Sequence, residues 1–234
     1  MNLRRVTFTG VDDTTDLNTL VALNEQYPFA EWAMMVSTTH TGLAPRFPSL
    51  TTLEKIADLN IQKAVHLNDS LARCAAEDTG YPMETALQLV RGAKRIQINL
   101  FQEIDRYPEI FHKIQHKAIT LSVQVVLQTY GFDIPAVATA HNSTSRGSVV
   151  FLHDSSGGRG IAGDFEQPIN GDFVGFAGGI RAENVLAKLE QIQALDFASP
   201  FWIDIESSVR TDDVFDLNKV ERLLRLVEPF VQTD

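Results

Sequence analysis

The sequence predicts an α/β fold of eight βα units, the number and size found in a (β/α)8 TIM barrel. Two observations point there. Short β-rich runs alternate with segments of helical periodicity along the chain, and eight such strand signals can be counted. The 234 residues then divide into units of about 29, the unit size of a barrel of ~250 residues. Alternation of this kind implies a parallel sheet. Periodicity alone fits a closed barrel and an open doubly wound sheet equally.

The elements follow in order. Val6-Thr7-Phe8-Thr9 reads as the first strand, and Leu17, Leu20 and Val21 give helical spacing behind it. Trp32 to Ser37 is the second strand. Thr51-x-x-Glu54 has the form of a capping box, with Leu53, Ile56 and Ala57 as the apolar stripe of its helix. Lys63 to Leu67 is the third strand, and Asp69 is placed to cap the next helix. Gly80 closes that helix and Pro82 opens another, which carries Met83, Ala86, Leu87 and Val90. Arg95 to Leu100 is the fourth strand, followed by a helix from Pro108 with Phe111 and Ile114. Ser122 to Leu127 is the fifth, with a short helix after Pro135. Ser148 to Leu152 is the sixth and Asp172 to Phe176 the seventh, the latter followed by the stripe Val185, Leu186, Leu189, Ile192. Phe201 to Ile205 is the eighth, and the last helix carries Leu217, Val220, Leu224 and Val227 behind the cap Asp216. Between Gly160 and Phe173 there is little room for a helix, and Pro168 and Gly171 interrupt it. The sixth helix is therefore expected to be short or missing. No boundary divides the chain, so one domain over 1–234 is expected.

Composition narrows the function classes. Hydrophobic residues make up 44% of the chain and charged ones 21%, ordinary for a globular protein. No apolar run is long enough to span a bilayer, and the N-terminus lacks a signal-peptide core. A cytoplasmic protein with no membrane partner is expected. The net charge of −10 argues against nucleic acid, so an anionic small ligand would need a locally positive pocket. The single cysteine, Cys74, excludes an intrachain disulfide and a cysteine-based zinc site. It lies at i+3 from Leu71 and reads as packing. The histidines show no metal-ligand spacing. A set made of His66, Asp154 and Glu206 is the one alternative, and no metal or cofactor is expected.

In a barrel, chemistry sits at the C-terminal ends of the strands. Three segments stand out there. Ala177-Gly178-Gly179-Ile180-Arg181-Ala182-Glu183-Asn184-Val185 ends a strand on two glycines and starts a helix at once, leaving N–H groups for an anion. Asp204-Ile205-Glu206-Ser207-Ser208-Val209-Arg210 follows a strand with small polar residues. A solvated loop would read the same way. Phe151-Leu152-His153-Asp154-Ser155-Ser156-Gly157-Gly158-Arg159-Gly160 ends a strand on a carboxylate ahead of a glycine-rich loop. Asp154 there is placed either for proton transfer or to cap its own loop.

Together the three segments resemble the phosphoribosylanthranilate isomerase family of tryptophan biosynthesis. That family has an Asp followed by Gly-Gly-Ser/Thr-Gly, then Ala-Gly-Gly-Leu with Pro-Glu-Asn-Val, then Asp-Val-Ser-Ser-Gly-Val-Glu. Order and spacing agree. Ala44-Pro45-Arg46-Phe47 looks like the family's Ser-Pro-Arg-Tyr, and Thr7-Phe8-Thr9-Gly10 stands where the family has Lys-Ile-Cys-Gly. The resemblance is strong over the last ninety or so residues and weak between about 65 and 145.

The resemblance implies a closed barrel and an Amadori rearrangement of an N-linked phosphoribosyl amine. Asp154 falls on the general acid, and Thr9 on the cysteine that serves as base. Arg46 falls on the substrate-binding arginine, and Asp204 on an acidic residue near the substrate's amine. Gly157, Gly158, Gly178, Gly179, Ser207 and Ser208 fall on the glycine loops and phosphate cradle. The implied partner is a phosphorylated small molecule, bound by a monomer or homodimer.

The departures concern the chemistry. A threonine hydroxyl is far more basic than a thiol with pKa about 8.5 and is not ionised at neutral pH. Loss of one positioned base costs about 10²–10⁴ in rate. Glu206, or a water on Thr9, is the candidate replacement. Arg159 and Arg210 stand where the family has Ser/Thr and Glu. Two readings of them stand level: extra positive charge for a more anionic ligand, or pairing with nearby carboxylates. Three functions remain open: an isomerase of the family type, another phosphosugar epimerase or lyase, or a non-catalytic phosphate-ligand binder.

Overall fold

The computed structural model describes residues 1–77, 79–99, 108–129, 148–157, 159–161, 163–168 and 172–232. Eight parallel strands close into a barrel in sequence order. They are β1 (Leu3–Thr9), β2 (Ala30–Val36), β3 (Lys63–Leu67), β4 (Arg95–Ile98), β5 (Gln124–Thr129), β6 (Val149–Asp154), β7 (Val174–Ala177) and β8 (Phe201–Ile205). Around them lie α1 (Leu17–Gln26), α2 (Leu50–Ala57), α3 (Asp69–Glu77), α4 (Pro82–Leu89), α5 (Pro108–Leu121), α6 (Val185–Gln193) and α7 (Leu217–Val227). The (β/α)8 barrel is thus present, and no described residue between β6 and β7 is helical. The helix expected after Pro135 lies outside the described residues. None of the helices is long and apolar enough to cross a membrane, among the described residues.

The main core lies between the barrel and the helices. Strand residues alternate in direction, and the outward row includes Val6, Phe8, Trp32, Met34, Ile96, Phe151, Phe176 and Ile203. These pack with helix residues such as Leu20, Leu53, Ile56, Met83, Phe111, Leu189, Val220 and Leu224. Each buried side chain of this kind contributes roughly 1.5–3 kcal/mol. The four apolar positions read for the last helix lie on its inner face, and Asp216 caps it by accepting from the N–H groups of Asn218 and Lys219.

Two expected caps are displaced. The N-cap of α2 is Ser49, whose hydroxyl accepts from Thr52 N–H, so Thr51 and Glu54 form no capping box. Position 49 is the one still in extended conformation, as an N-cap requires. At α3, the carbonyl of Asn68 accepts from Leu71 and Ala72. Asp69 instead turns its carboxylate to Ser37, Thr39 and His40. Strand ends also moved. Ser122 takes a left-handed φ of 54° to end α5, which delays β5 to Gln124. β6 runs on to Asp154, so that carboxylate is a strand residue and not a loop residue.

The barrel interior is unusual for its charge. Val126, Val150, Leu152 and Trp202 form a small apolar cluster. Beside it lie Glu31 and Arg95, 2% and 3% exposed, paired at 2.7 Å. Glu31 also accepts from Thr7 at 2.9 Å and Arg5 at 3.2 Å, while the Arg95 guanidinium carbon sits 4.1 Å from the Trp202 ring centre. These partners offset part of the desolvation of the two charges, and Arg95 Nε remains buried without a hydrogen-bond partner among the described residues. A Cβ at Gly175 would overlap Trp202, so the glycine is what lets the indole fill the barrel.

Candidate active site

A cavity of about 500 Å³ opens at the C-terminal ends of the strands, within the usual range of ~300–1,000 Å³ for ligand sites. Strand register explains what meets there. Asp154 pairs in register with Ala177, and Ala177 with Asp204. The two carboxylates therefore occupy one layer, on either side of β7. Thr9, the last residue of β1, lies two positions beyond Thr7, the register partner of Asp204, and donates to Asp204 Oδ1 at 2.7 Å.

Asp204 and Asp154 are held differently. Asp204 is 8% exposed. Burial pushes its carboxyl up to about 7, the nearby charges of Glu206 and Glu31 push the same way, and the Thr9 hydrogen bond and Arg95 oppose them. Asp154, 5% exposed, accepts from Ser156 N–H at 2.9 Å, Ser156 Oγ at 2.7 Å and Gln128 Nε2 at 2.6 Å. The turn at Gly157, with φ 60°, folds Ser156 back onto the carboxylate. His66 lies at the cavity floor. Burial first, and Arg95 second, lower its pKa to about 3, so the ring is neutral.

The glycine and serine segments come together at the β7–β8 side. Gly178 and Gly179 have φ of 118° and 59°, and a Cβ on Gly178 would collide with Ser155 Oγ. Ser207 and Ser208 open a 3-10 turn. Among the described residues, the N–H groups of Gly178, Gly179, Ser207 and Ser208 find no protein acceptor. Ser208 Oγ donates to Ile180 O at 2.7 Å, joining the two loops. Arg181, Lys219 and Arg222 line this end of the cavity. Backbone donors without a protein acceptor can hold an anion. Of the cations beside them, Arg222 pairs with Glu183, which also lines the cavity, and Lys219 donates to the Arg210 carbonyl.

Several predicted site residues stand elsewhere. Glu206 lines the rim, where Arg46 Nη1 donates to it at 2.7 Å and Arg46 Nε to Asp213 at 2.8 Å. Arg46 itself has φ 75°, a conformation uncommon outside glycine. Arg210 does not line the cavity. It is 6% exposed, and its guanidinium bonds Asp12 at 2.6 Å and the Gly10 carbonyl at 2.7 Å, tying the β1 and β8 loops together. It also pairs with Asp213, on a hairpin of β9 (Arg210–Thr211) and β10 (Val214–Phe215). Carboxylate pairing, not added charge at the site, therefore describes Arg210. Arg159 also stays off the cavity lining and donates to Ser156 O at 2.9 Å. Gly158 lies outside the described residues. Among the described residues no group of three His, Cys, Asp or Glu could hold a metal ion, so His66, Asp154 and Glu206 form no metal site.

Sequence reading missed Arg181, Lys219 and Arg222 at the cradle, and Asn68, Gln97, Asn99 and Gln128 on the facing wall. Asn68 and Asn99 each follow a strand, as Gly178 does, and the same rule would have found them. Lys219 and Arg222 sit on α7 and carry no local signal.

No protein-family model matches the chain, and no curated protein matches it in sequence. Among solved structures it is similar to a mutant tryptophan synthase α-subunit from Pyrococcus furiosus. Identity is 9%, coverage 97% of this chain and 100% of that one, and the TM-score 0.55. It is also similar to an AP endonuclease, family 2, from Brucella melitensis, at 11% identity, 98% and 100% coverage and a TM-score of 0.50. At such identities the likeness shows the barrel fold alone.

Proposed function

We propose that this barrel is a phosphosugar isomerase acting on an N-linked phosphoribosyl amine, with Asp154 and Asp204 as its acid–base pair. The observation that carries the reading is that both carboxylates sit in one strand layer and line one cavity with the Gly178–Gly179 and Ser207–Ser208 loops. The resemblance of those loops to phosphoribosylanthranilate isomerase supports the reaction class, as does the anion-binding character of the cradle.

In this reading Asp154 gives its proton to the ring oxygen as the C1–O bond breaks. The nitrogen lone pair forms the C1–N double bond of an iminium, and the nitrogen takes that pair back when C2 is deprotonated. Asp204 takes the proton from C2. The C–H electron pair becomes the C1–C2 double bond of an enol-amine, which tautomerises to the ketone. A carboxyl near 7 is well matched to such a transfer at neutral pH. Thr9 is then a positioning residue: it aims the base instead of being one. Glu206 is spoken for by Arg46.

The test is deuterium uptake at C1 of the ketone product when N-phosphoribosyl amines are incubated in D2O with the protein. Uptake is expected with wild type and Glu206→Gln, and not with Asp204→Asn. If ribose 5-phosphate binds but no amine takes up deuterium, the chain is a binding protein and the isomerase reading fails.

A further inference from the structure

The cavity wall opposite the cradle carries its own recognition chemistry. In a closed eight-strand barrel β3 and β4 lie across from β7 and β8. A ligand with its phosphate on the cradle therefore extends toward the ends of β3, β4 and β5. That wall is made of amides: Asn68, Gln97, Asn99 and Gln128 all line the cavity.

Their orientation is fixed from the backbone outward. Asn68 Nδ2 lies 3.0 Å from the His66 carbonyl, which can only accept. The Asn68 oxygen must then face Asn99 Nδ2, at 2.9 Å. The Asn99 oxygen in turn faces Gln97 Nε2, also at 2.9 Å. The relay ends on Gln97 Oε1, which has no protein partner among the described residues. Gln128 repeats the pattern. Asp154 takes its Nε2 at 2.6 Å, and its Oε1 is buried with no hydrogen bond. Both glutamines are more than nine-tenths buried, at 5% and 8% exposure. Gln128 Oε1 is thus buried without a donor, and Gln97 Oε1, on a residue that lines the cavity, has none among the described residues.

Resting on the phosphosugar reading, we propose that the ligand's distal group carries hydrogen-bond donors, as a carboxamide or hydroxyls do, and that Gln97 and Gln128 read them. An aromatic acid laid on this wall would leave both acceptors desolvated and unpaired, which a site built for donors rejects. The wall therefore selects a polar amine portion over an aryl one.

Calorimetry with three probes tests this: ribose 5-phosphate, and the reduced, non-reacting amines of phosphoribosyl glycinamide and of phosphoribosyl anthranilate. The glycinamide compound is expected to bind about tenfold tighter than ribose 5-phosphate. The anthranilate compound is expected to bind no tighter than ribose 5-phosphate. Gln97→Leu should remove the glycinamide advantage while ribose 5-phosphate stays within about twofold. The wild-type ranking decides the matter even where the variant folds poorly. An anthranilate compound that binds tightest, or a glycinamide compound equal to ribose 5-phosphate, overturns the proposal. Failure of ribose 5-phosphate itself to bind would instead overturn the phosphosugar reading beneath it.

Discussion

The Thr9 hydroxyl donates to Asp204 Oδ1 across 2.7 Å inside the barrel mouth. That bond joins β1 to a carboxyl that burial pushes up to about 7. On the function proposed above Thr9 positions Asp204 as the base, and the consequences can be measured.

The first concerns pH. A base must be deprotonated to act, so kcat/KM should rise as pH rises through about 7, the Asp204 value. Thr9→Val removes a hydrogen bond that favours the carboxylate, so the limb should move to higher pH. A limb unmoved in Thr9→Val would mean that Asp204 is not the group being titrated. Asp204→Asn should lose about 10²–10⁴ in rate.

The second concerns stability, with the opposite sign to activity. Asp204 is raised from 3.8 to about 7 on folding. Between those values the folded chain holds a proton that the unfolded chain has lost. Its contribution therefore falls as pH rises from 3.8 toward 7, then stays level. Asp204→Asn keeps an oxygen for Thr9 and carries no charge. It should melt higher than wild type at pH 8, and the gap should shrink below pH 5. An equal or lower Tm at pH 8 contradicts the burial argument.

The Arg95–Glu31 pair sets up a third test. Arg95→Met leaves Glu31 buried without its 2.7 Å partner, at a cost of about 3–5 kcal/mol. Arg95→Met with Glu31→Gln should recover most of it, because no lone charge then remains. Chemical denaturation of the two variants reads the difference. Equal losses in both would mean packing on Trp202, not charge, dominates.

Gly178→Ala tests the cradle. Its φ of 118° and the contact with Ser155 make any side chain strained. Ribose 5-phosphate affinity should fall about tenfold or more, with a stability cost of roughly 1–3 kcal/mol. Undiminished affinity would place the anion elsewhere.

Rim electrostatics should matter less. The Arg46–Glu206 pair is about one-third exposed on each side, and such pairs contribute roughly 0–1 kcal/mol. Glu206→Gln should change Tm little. A loss of turnover as deep as that of Asp204→Asn would return the base to Glu206.

Much of this was legible in the chain. Strand and helix periods gave eight βα units on a parallel sheet, because each strand's outward row and each helix's apolar stripe must bury against the other, while closure into a barrel was implied by the family resemblance. The short segment between Gly160 and Phe173 gave the expectation of a short or missing sixth helix, and no described residue between β6 and β7 is helical. Gly178, Gly179, Ser207 and Ser208 were singled out because backbone conformation and donor supply are local properties, and the structure brings them to one end of the cavity. Asp154 was marked as the carboxylate that ends a strand, although the strand was bounded at Leu152, since strand ends depend on pairing with a neighbour.

What the tertiary structure alone decided was which charges meet. Arg210 and Asp12 are far apart in sequence, as are Thr9 and Asp204, and barrel closure puts β1 against β8. It sent Arg210 to a carboxylate, gave Glu206 to Arg46, and buried Asp204 deeply enough to raise its carboxyl. Residue types and local periods are properties of the sequence, and those sufficed for the eight βα units. Electrostatics depends on distance and desolvation, and both arise only when remote strands are brought together.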